Sequence, residues 1–170
     1  MTIEIIGRAC VAPGASSVKE LKTILSGGRC TVSEIPGDRW DLARFWHPAQ
    51  GIAGKTYTFA AGVIDRLYDF DPAVFGISQR EAMQMDPQQR VLLTLVWQAL
   101  EDANLPASTL AKEKVGVYIG ASSLENSTLS SEDPASGSPY FMTGNTLSIV
   151  SNRISHVFGL NGPSMTIDTA

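Results

Sequence analysis

The residues with the clearest chemical potential stand in the segment SMTIDTA, numbers 164 to 170. Ser164 to Asp168 are mostly β-favouring and follow a Gly-Pro turn pair, so they predict a short strand. Asp-Thr-Ala then leaves the strand through small residues, like the approach to a nucleophile elbow, where the next side chain stands at a helix N-terminus. A cysteine there has a lowered pKa and nearby backbone N–H groups for an oxyanion. A strand that simply ends in a loop fits the same sequence, and on pattern alone this alternative stays open.

Other residues that could do chemistry are placed less favourably. Ser122 and Ser123 lie in GASSL, which is not the G-x-S-x-G elbow, and no partner histidine is identifiable near them, so we predict loop polar groups. His47 and His156 are too far apart in sequence to predict a metal site, and none is assigned. The two cysteines, Cys10 and Cys30, lack disulfide-scaffold density and paired zinc spacing, and both are predicted to be reduced and structural.

Composition narrows the class of protein. The chain has 170 residues, of which 44% are hydrophobic and 18% charged, with a net charge of −4. Without a basic run, a nucleic-acid partner is not expected. No apolar stretch approaches the ~20 residues of a membrane span, and no G-x-G-x-x-G or Walker pattern follows a strand. The start MTIEIIGRAC has no signal-peptide character, so we expect a cytoplasmic protein without a membrane segment.

Hydrophobic periodicity and capping signals predict an α/β protein. Strands are expected over 3–6, 115–122 and 164–168, the second of them covered on both faces. Helices are expected over 17–27, from Ser78 with Glu81 as a capping box, from Asp86 to about Asn104, and over 143–159, whereas 30–62 is predicted to be irregular. The helix after Asp86 is apolar around much of its circumference and is expected to be buried on several sides. Its main stripe holds Leu92, Leu95, Val96, Ala99 and Ala103, and this stripe is widened by Val91, Leu93, Trp97 and Leu100.

Four longer segments resemble a known family. They are IIGRACVAPGA (5–15), FDPAVFGISQREAMQMDPQQRVLLTLVWQALEDA (70–103), VGVYIGASS (115–123) and TGNTLSIVSNRISHVFGLNGPSMTIDTA (143–170). Together they are similar to the β-ketoacyl synthase domain of type I modular polyketide synthases, over essentially the whole chain. The most specific parts are GISQREAMQMDPQQR and NRISHVFGLNGPSMTIDTA, the second of which immediately precedes the catalytic cysteine in the family. AAGVID (60–65) departs from the pattern, since the family more often has paired glycines and an aromatic residue there.

This resemblance implies a thiolase-like fold of two α/β halves in five αβαβα layers, of which residues 1–170 would supply most of the first half. It also implies acyl transfer from the phosphopantetheine of an acyl carrier protein to a cysteine directly after Ala170. Decarboxylative Claisen condensation with a carrier-bound malonyl-type extender would follow, assisted by two histidines of the second half. No catalytic residue would then lie within this chain, which alone should be inactive, and neither His47 nor His156 falls in the family's histidine motifs. No cofactor would bind directly.

Partners follow from the same resemblance. The whole protein is expected to be a homodimer, with strand 164–168 near its two-fold axis, and to work with a carrier protein and other domains of a multidomain synthase. In the family the segment before TGN approaches the partner's active site. Phe141, Met142 and Thr143 are therefore expected to lie in the acyl tunnel or at the dimer contact. Simple core packing is the alternative for Phe141 and Met142.

Three hypotheses for function follow. The first is a β-ketoacyl synthase of polyketide, or related fatty-acid, biosynthesis. The second is a non-condensing member, a decarboxylase or a structural dimer platform, with another residue at position 171; cysteine there indicates condensation, and glutamine a decarboxylating loading domain. The third is a binding module made of the 170 residues alone. This last hypothesis is less favoured, because the helix over 87–103 and the strand over 115–120 would expose large apolar patches.

Overall fold

The computed structural model describes residues 2–111, 113–123, 125–130 and 138–169. Within these ranges the chain forms eight α-helices, one 3-10 helix and four strands. It divides into two units, one of Met1–Ala9 with Leu67–Ala170 and the other of Cys10–Arg66. Among the described residues, no helix has the length and apolar character needed to cross a membrane.

The smaller unit begins with helix α1, Val18–Ser26. The hydroxyl of Ser17 accepts a hydrogen bond from the backbone N–H of Glu20, which confirms the predicted N-cap. The Glu20 carboxylate in turn accepts from the backbone N–H of Ser16 at 2.7 Å, and this bond lowers the pKa of Glu20. Ser17 thus satisfies an N–H group that the first helical turn leaves without an intrahelical partner, and Glu20 holds the residue before the cap.

A two-stranded antiparallel sheet completes the smaller unit. Strand β1, Val32–Glu34, pairs with β2, Ala60–Gly62, and the one-turn helix α2, Leu42–Phe45, lies between them in sequence. These elements have three or four residues each, so the predicted irregular character of 30–62 holds for most of the segment. The two cysteines, Cys10 and Cys30, are free, and the second is exposed.

The larger unit is layered around a two-stranded parallel sheet. Strand β3, Val117–Gly120, pairs with β4, Ser164–Ile167. Helix α8, Leu147–Phe158, packs on both strands, and α4, Pro87–Asp102, packs on α8. The remaining elements are the 3-10 helix Pro72–Phe75, α3 Gln79–Ala82, α5 Ala107–Leu110, α6 Glu125–Ser130 and α7 Phe141–Asn145.

Helix α4 starts where the sequence predicts, and part of its broad apolar surface meets the core. The carboxylate of Asp86 caps the helix by accepting from the backbone N–H of Gln88 at 2.8 Å, and Pro87 is the first helical residue. Leu93 is 0% exposed and packs with Ile154 and Phe158 of α8 in the core. The predicted stripe of Leu92, Leu95, Val96, Ala99 and Ala103 is only half-buried. Leu93 belongs to the predicted widening of this stripe, and Leu92 and Val96 of the stripe itself also pack against the same core.

The predicted helix over 143–159 is two helices in the structure. Thr146 has an extended backbone, with φ −98° and ψ 131°, and separates α7 from α8. The predicted stop is confirmed, since Gly159 adopts φ +66° in the left-handed region that favours glycine. The extended backbone at Thr146 therefore ends α7 before α8 begins.

Two strand predictions need correction. Residues 3–6 form no strand, and Ile3 is 91% exposed. A strand exists only with a neighbour that completes its hydrogen-bond ladder, and none of the described strands pairs with 3–6. The predicted strand 115–122 is shorter, Val117–Gly120, and is not covered on both faces: Val117 is buried, whereas Tyr118 is 57% exposed. Helix α8 covers only one face of the sheet in the part of the chain that the structure describes.

Candidate functional site

Strand β4, which leads toward the predicted nucleophile position, is anchored on its inner face to α8. Side chains alternate along a strand, so Ser164 and Thr166 share the face that meets α8. Thr166 Oγ1 accepts a hydrogen bond from the backbone N–H of Ser151 at 3.2 Å and donates one to Ser151 Oγ at 3.0 Å. Ser151 is 0% exposed. The backbone that carries Asp168 and Thr169 therefore leaves a strand whose position is fixed by directional bonds.

The two residues directly after β4, Asp168 and Thr169, are exposed. Ala170 and the position after it lie outside the described residues. The small-residue exit predicted for an elbow thus begins at the solvent-exposed end of β4. The nucleophile directly after Ala170 stays a prediction.

Helix α7 brings together the three residues predicted for the acyl tunnel or the dimer contact. Phe141, Met142 and Thr143 occupy its first three positions. Phe141 is half-buried, whereas the side chain of Met142 is 68% exposed and Thr143 is also exposed. The Thr143 hydroxyl donates to the carbonyl oxygen of Tyr140 at 3.2 Å. Met142 thus presents an apolar side chain outward in this chain, and its place in the acyl tunnel or at the dimer contact stays a prediction.

A buried polar network holds α7 in place. Arg153 of α8 donates from Nε to Gln89 Oε1 at 2.6 Å and from Nη1 to Glu81 Oε1 at 2.5 Å. Its Nη2 donates to the carbonyl oxygen of Thr143 at 3.3 Å. Gln89 Nε2 donates to the carbonyl oxygens of Thr143 and Gly144, at 3.1 and 2.8 Å. Carbonyl groups at the end of α7, where a helix lacks its own donors, are therefore satisfied by side chains from α4 and α8.

The residues after Thr143 lock α7 against the loop before α4. Asn145 Nδ2 donates to the carbonyl oxygens of Gln84 and Phe141, both at 3.0 Å. A Cβ on Gly144 would overlap the carbonyl oxygen of Gln84, so the backbone approach tolerates only glycine there. The tripeptide TGN thus combines a carbonyl held by Arg153, a close backbone contact and a bridging amide.

Sequence reasoning missed this network. The hydroxyl of Ser78 accepts from the backbone N–H of Glu81 at 3.2 Å, which confirms the predicted N-cap of α3. The Glu81 carboxylate, however, pairs with Arg153. Gln89 and Arg153 interrupt apolar stripes of α4 and α8, and a polar residue within such a stripe is the only signal the sequence offers.

The half-buried cation Arg90 lies on α4. The guanidinium carbon of Arg90 lies 5.7 Å from the ring centroid of Tyr68, a cation–π distance. Burial lowers the pKa of Arg90, while Tyr68 and Asp86 act in the opposite direction. Since an arginine stays protonated at any physiological pH, this shift leaves its charge unchanged.

The other candidate residues are not drawn into a site. Ser122 and Ser123 lie in the loop after β3, as predicted, and the Ser123 carbonyl accepts from Gln88 Nε2 at 3.0 Å. Among the described residues, no group of three or more histidine, cysteine or acidic side chains could hold a metal ion. Two cavities of about 360 and 330 Å³ share Trp97 and Ala107, away from α7 and β4, and His156 lines the smaller one.

Comparison with known proteins places the chain in a family. The sequence model of the family "β-ketoacyl synthase, N-terminal domain" matches residues 1–170. The chain belongs to this family. It is 42% identical over 170 residues to Polyketide synthase GfsB of Streptomyces halstedii, covering 99% of this chain and 3% of that protein. It is 40% identical to the pikromycin polyketide synthase component PikAII of Streptomyces venezuelae, of which it spans 4%. The chain therefore corresponds to a small part of these relatives.

Solved structures agree with the family. The chain matches an oxazolomycin ketosynthase domain of Streptomyces albus with a TM-score of 0.85 and 34% identity, over 97% of this chain and 29% of that one. It matches the ketosynthase from module 6 of the bacillaene synthase of Bacillus subtilis with a TM-score of 0.78 and 33% identity, over 96% and 25% of the two chains. The predicted thiolase-like α/β fold and the resemblance to ketosynthases of modular polyketide synthases are both confirmed.

Replacing Arg153 by methionine tests the network. The substitution keeps much of the volume but leaves Glu81 and Gln89 without their buried partner, so we expect the free energy of unfolding to fall by about 3–5 kcal/mol. Arg80→Met, at an exposed arginine of α3, is the matched control and should change it by no more than about 0.5 kcal/mol. Urea denaturation followed by circular dichroism measures both variants. Equal losses would contradict the role assigned to Arg153.

Proposed function

We propose that this chain is the N-terminal part of a ketosynthase domain that makes β-ketoacyl thioesters in polyketide, or related fatty-acid, biosynthesis. The observation that carries the proposal is strand β4, fixed to α8 by Thr166 and followed by Asp168 and Thr169 at its exposed end. The names of the relatives, polyketide synthases throughout those quoted above, support the same activity.

In the proposed reaction, a cysteine after Ala170 attacks the acyl thioester, which the phosphopantetheine of an acyl carrier protein would supply. A bond forms between the cysteine sulfur and the acyl carbonyl carbon, and the carrier thiol leaves with a proton. The malonyl-type extender then loses carbon dioxide, and the resulting carbanion attacks the acyl carbon and releases the cysteine. In this reaction the described chain would position the reacting groups. Strand β4 would hold the nucleophile in place, and α7 would present an apolar surface to the acyl chain.

We further propose that the working domain includes a second half beyond residues 1–170. The outer face of the sheet supports this, because Tyr118 and Met165 are paired across β3 and β4 and are 57% and 46% exposed, with Ile167 beside them at 47%. An apolar sheet face of this kind normally packs against another layer. The modest share of each solved ketosynthase that this chain covers agrees with additional layers.

The same strand supports a homodimer. Backbone groups alternate in direction along a strand, and the carbonyl groups of Pro163 and Ile167 accept bonds from the β3 side. The backbone N–H of Thr166 therefore points to the other edge of β4, which has no strand partner among the described residues. Pairing with a second copy of β4 would satisfy this edge.

Thr166→Pro tests the dimer in the full-length protein. Proline removes the N–H at the centre of the open edge and is poorly tolerated inside a sheet. We expect wild type to sediment as a dimer and the variant as monomer or aggregate, with condensation lost. A fully active wild-type protein that sediments as a monomer would refute the dimer without touching the proposed chemistry.

The proposed chemistry is tested by locating the acylated residue. Trypsin cleaves after Arg153, and residues 154–170 contain no further Lys or Arg, so one peptide starts at Ile154 and includes the position after Ala170. After incubation of the full-length protein with an acyl thioester, mass spectrometry should find the acyl group in this peptide, on a cysteine following Ala170. Label on Cys10 or Cys30 at a catalytic rate would overturn the assignment. A glutamine at position 171 would indicate a decarboxylating loading domain.

Met142→Trp tests the role of α7 in the full-length protein. A bulkier side chain at an exposed position next to the acyl chain should lower the rate with long acyl thioesters more than with short ones, by about tenfold or more. Val74→Trp, at another exposed apolar residue of the same unit, is the matched control and should leave the preference unchanged. Sedimentation checks that the dimer is intact. An unchanged acyl preference in Met142→Trp would remove Phe141, Met142 and Thr143 from the proposed tunnel.

A further inference from the structure

Several hydroxyl side chains lie at or near the interface between α8 and β4, where apolar side chains would normally pack. Ser151 of α8 and Thr166 of β4 meet across it, Ser155 follows one turn after Ser151 on α8, and Ser164 shares the inner face of β4 with Thr166. Burying a hydroxyl is costly unless it is hydrogen-bonded. Ser155 Oγ and Ser164 Oγ are buried without a partner in the described part of the chain. Valine and alanine would fill the same space without that cost. Packing alone therefore does not account for a hydroxyl group at Thr166.

Thr166 differs from the other hydroxyl residues in making two bonds with one atom. Its Oγ1 accepts from the backbone N–H of Ser151 at 3.2 Å and donates to Ser151 Oγ at 3.0 Å. Apolar contact between a helix and a strand is non-directional and allows small sliding movements. A hydroxyl that must satisfy both a donor and an acceptor specifies one register between α8 and β4. The β-branched threonine side chain, with few χ1 rotamers, transmits that register to the backbone.

The position after Ala170 is five residues beyond Thr166. Catalytic groups need placement within about 0.5 Å, and a displacement of about 1 Å can cost on the order of a hundredfold in rate. The ladder with β3 fixes β4 within the sheet but not against α8. A sheet that slides along α8 by a fraction of the strand rise of about 3.3 Å per residue would exceed this tolerance. We infer that the Ser151–Thr166 hydroxyl pair positions the nucleophile along the β4 axis, an inference that rests on the ketosynthase function proposed above.

The decisive comparison is between Thr166→Val and Thr166→Ser in the full-length protein. Valine keeps the shape and the backbone N–H but removes both bonds, whereas serine keeps the hydroxyl. With acyl thioester at saturating concentration, Thr166→Val should slow acylation by about tenfold or more with KM unchanged, and Thr166→Ser should restore most of the rate. Ser155→Ala removes a hydroxyl from the same helix that has no partner, and it should acylate like wild type. Sedimentation and melting temperature verify that each variant is folded and dimeric.

Two outcomes would overturn the inference: acylation at the wild-type rate in Thr166→Val, or equal losses in the valine and serine variants. Ser151→Ala removes only the side-chain partner and should show a smaller loss, which keeps the test decisive if Thr166→Val does not fold. Hydrogen exchange of residues 167–169 supplies a readout independent of chemistry, and it should quicken in Thr166→Val but not in Thr166→Ser. A wild-type protein that folds but is not acylated would instead refute the ketosynthase function itself.

Discussion

The buried guanidinium of Arg153 is the constraint on which the arrangement of the larger unit depends. At 8% exposure it cannot be solvated by water, and an unpaired charge in such a place is strongly destabilising. Its hydrogen-bond partners come from three different helices: Glu81 from α3, Gln89 from α4 and Thr143 from α7. One side chain of α8 can be satisfied only when all three are in place. The network therefore acts less as a source of stability than as a condition on geometry.

Helix α8 carries this constraint to the sheet. Each residue of an α-helix is rotated by about 100° from the one before it, so side chains two residues apart point in nearly opposite directions. Ser151 and Arg153 therefore lie on opposite sides of α8. Arg153 holds the end of α7, while Ser151 holds Thr166 of β4. A single rigid helix thus relates the surface proposed for the acyl chain to the strand proposed to carry the nucleophile. A movement of α7 relative to β4 must therefore involve α8, which contacts both.

Local signals predicted the parts of this structure that local interactions decide. Ser17, Asp86 and Gly159 cap or stop helices because their own side chains and backbone meet neighbouring residues in sequence. The failures arose where distant contacts decide. The segment 3–6 has strand-like sequence but no partner among the described strands, and contact with α8 decides which part of the broad apolar surface of α4 is fully buried. Arg153 and Glu81 are 72 residues apart, so no sequence periodicity could pair them. The family resemblance did single out residues 141–143, the segment whose Thr143 carbonyl Arg153 binds.

The two faces of β4 place different demands on what packs against them. The inner face meets α8 through Thr166, whose two bonds accept one geometry, whereas the outer face presents Met165 and Ile167, which accept any apolar surface of suitable shape. Directional bonds are needed where a position must be held, and apolar area is sufficient where a layer must only be covered. The bonds to α8 can then fix the position of β4 within this chain, independently of the layer that covers the outer face. The accuracy of the nucleophile position would in that case depend on residues 151 and 166 more than on the fit of the covering layer.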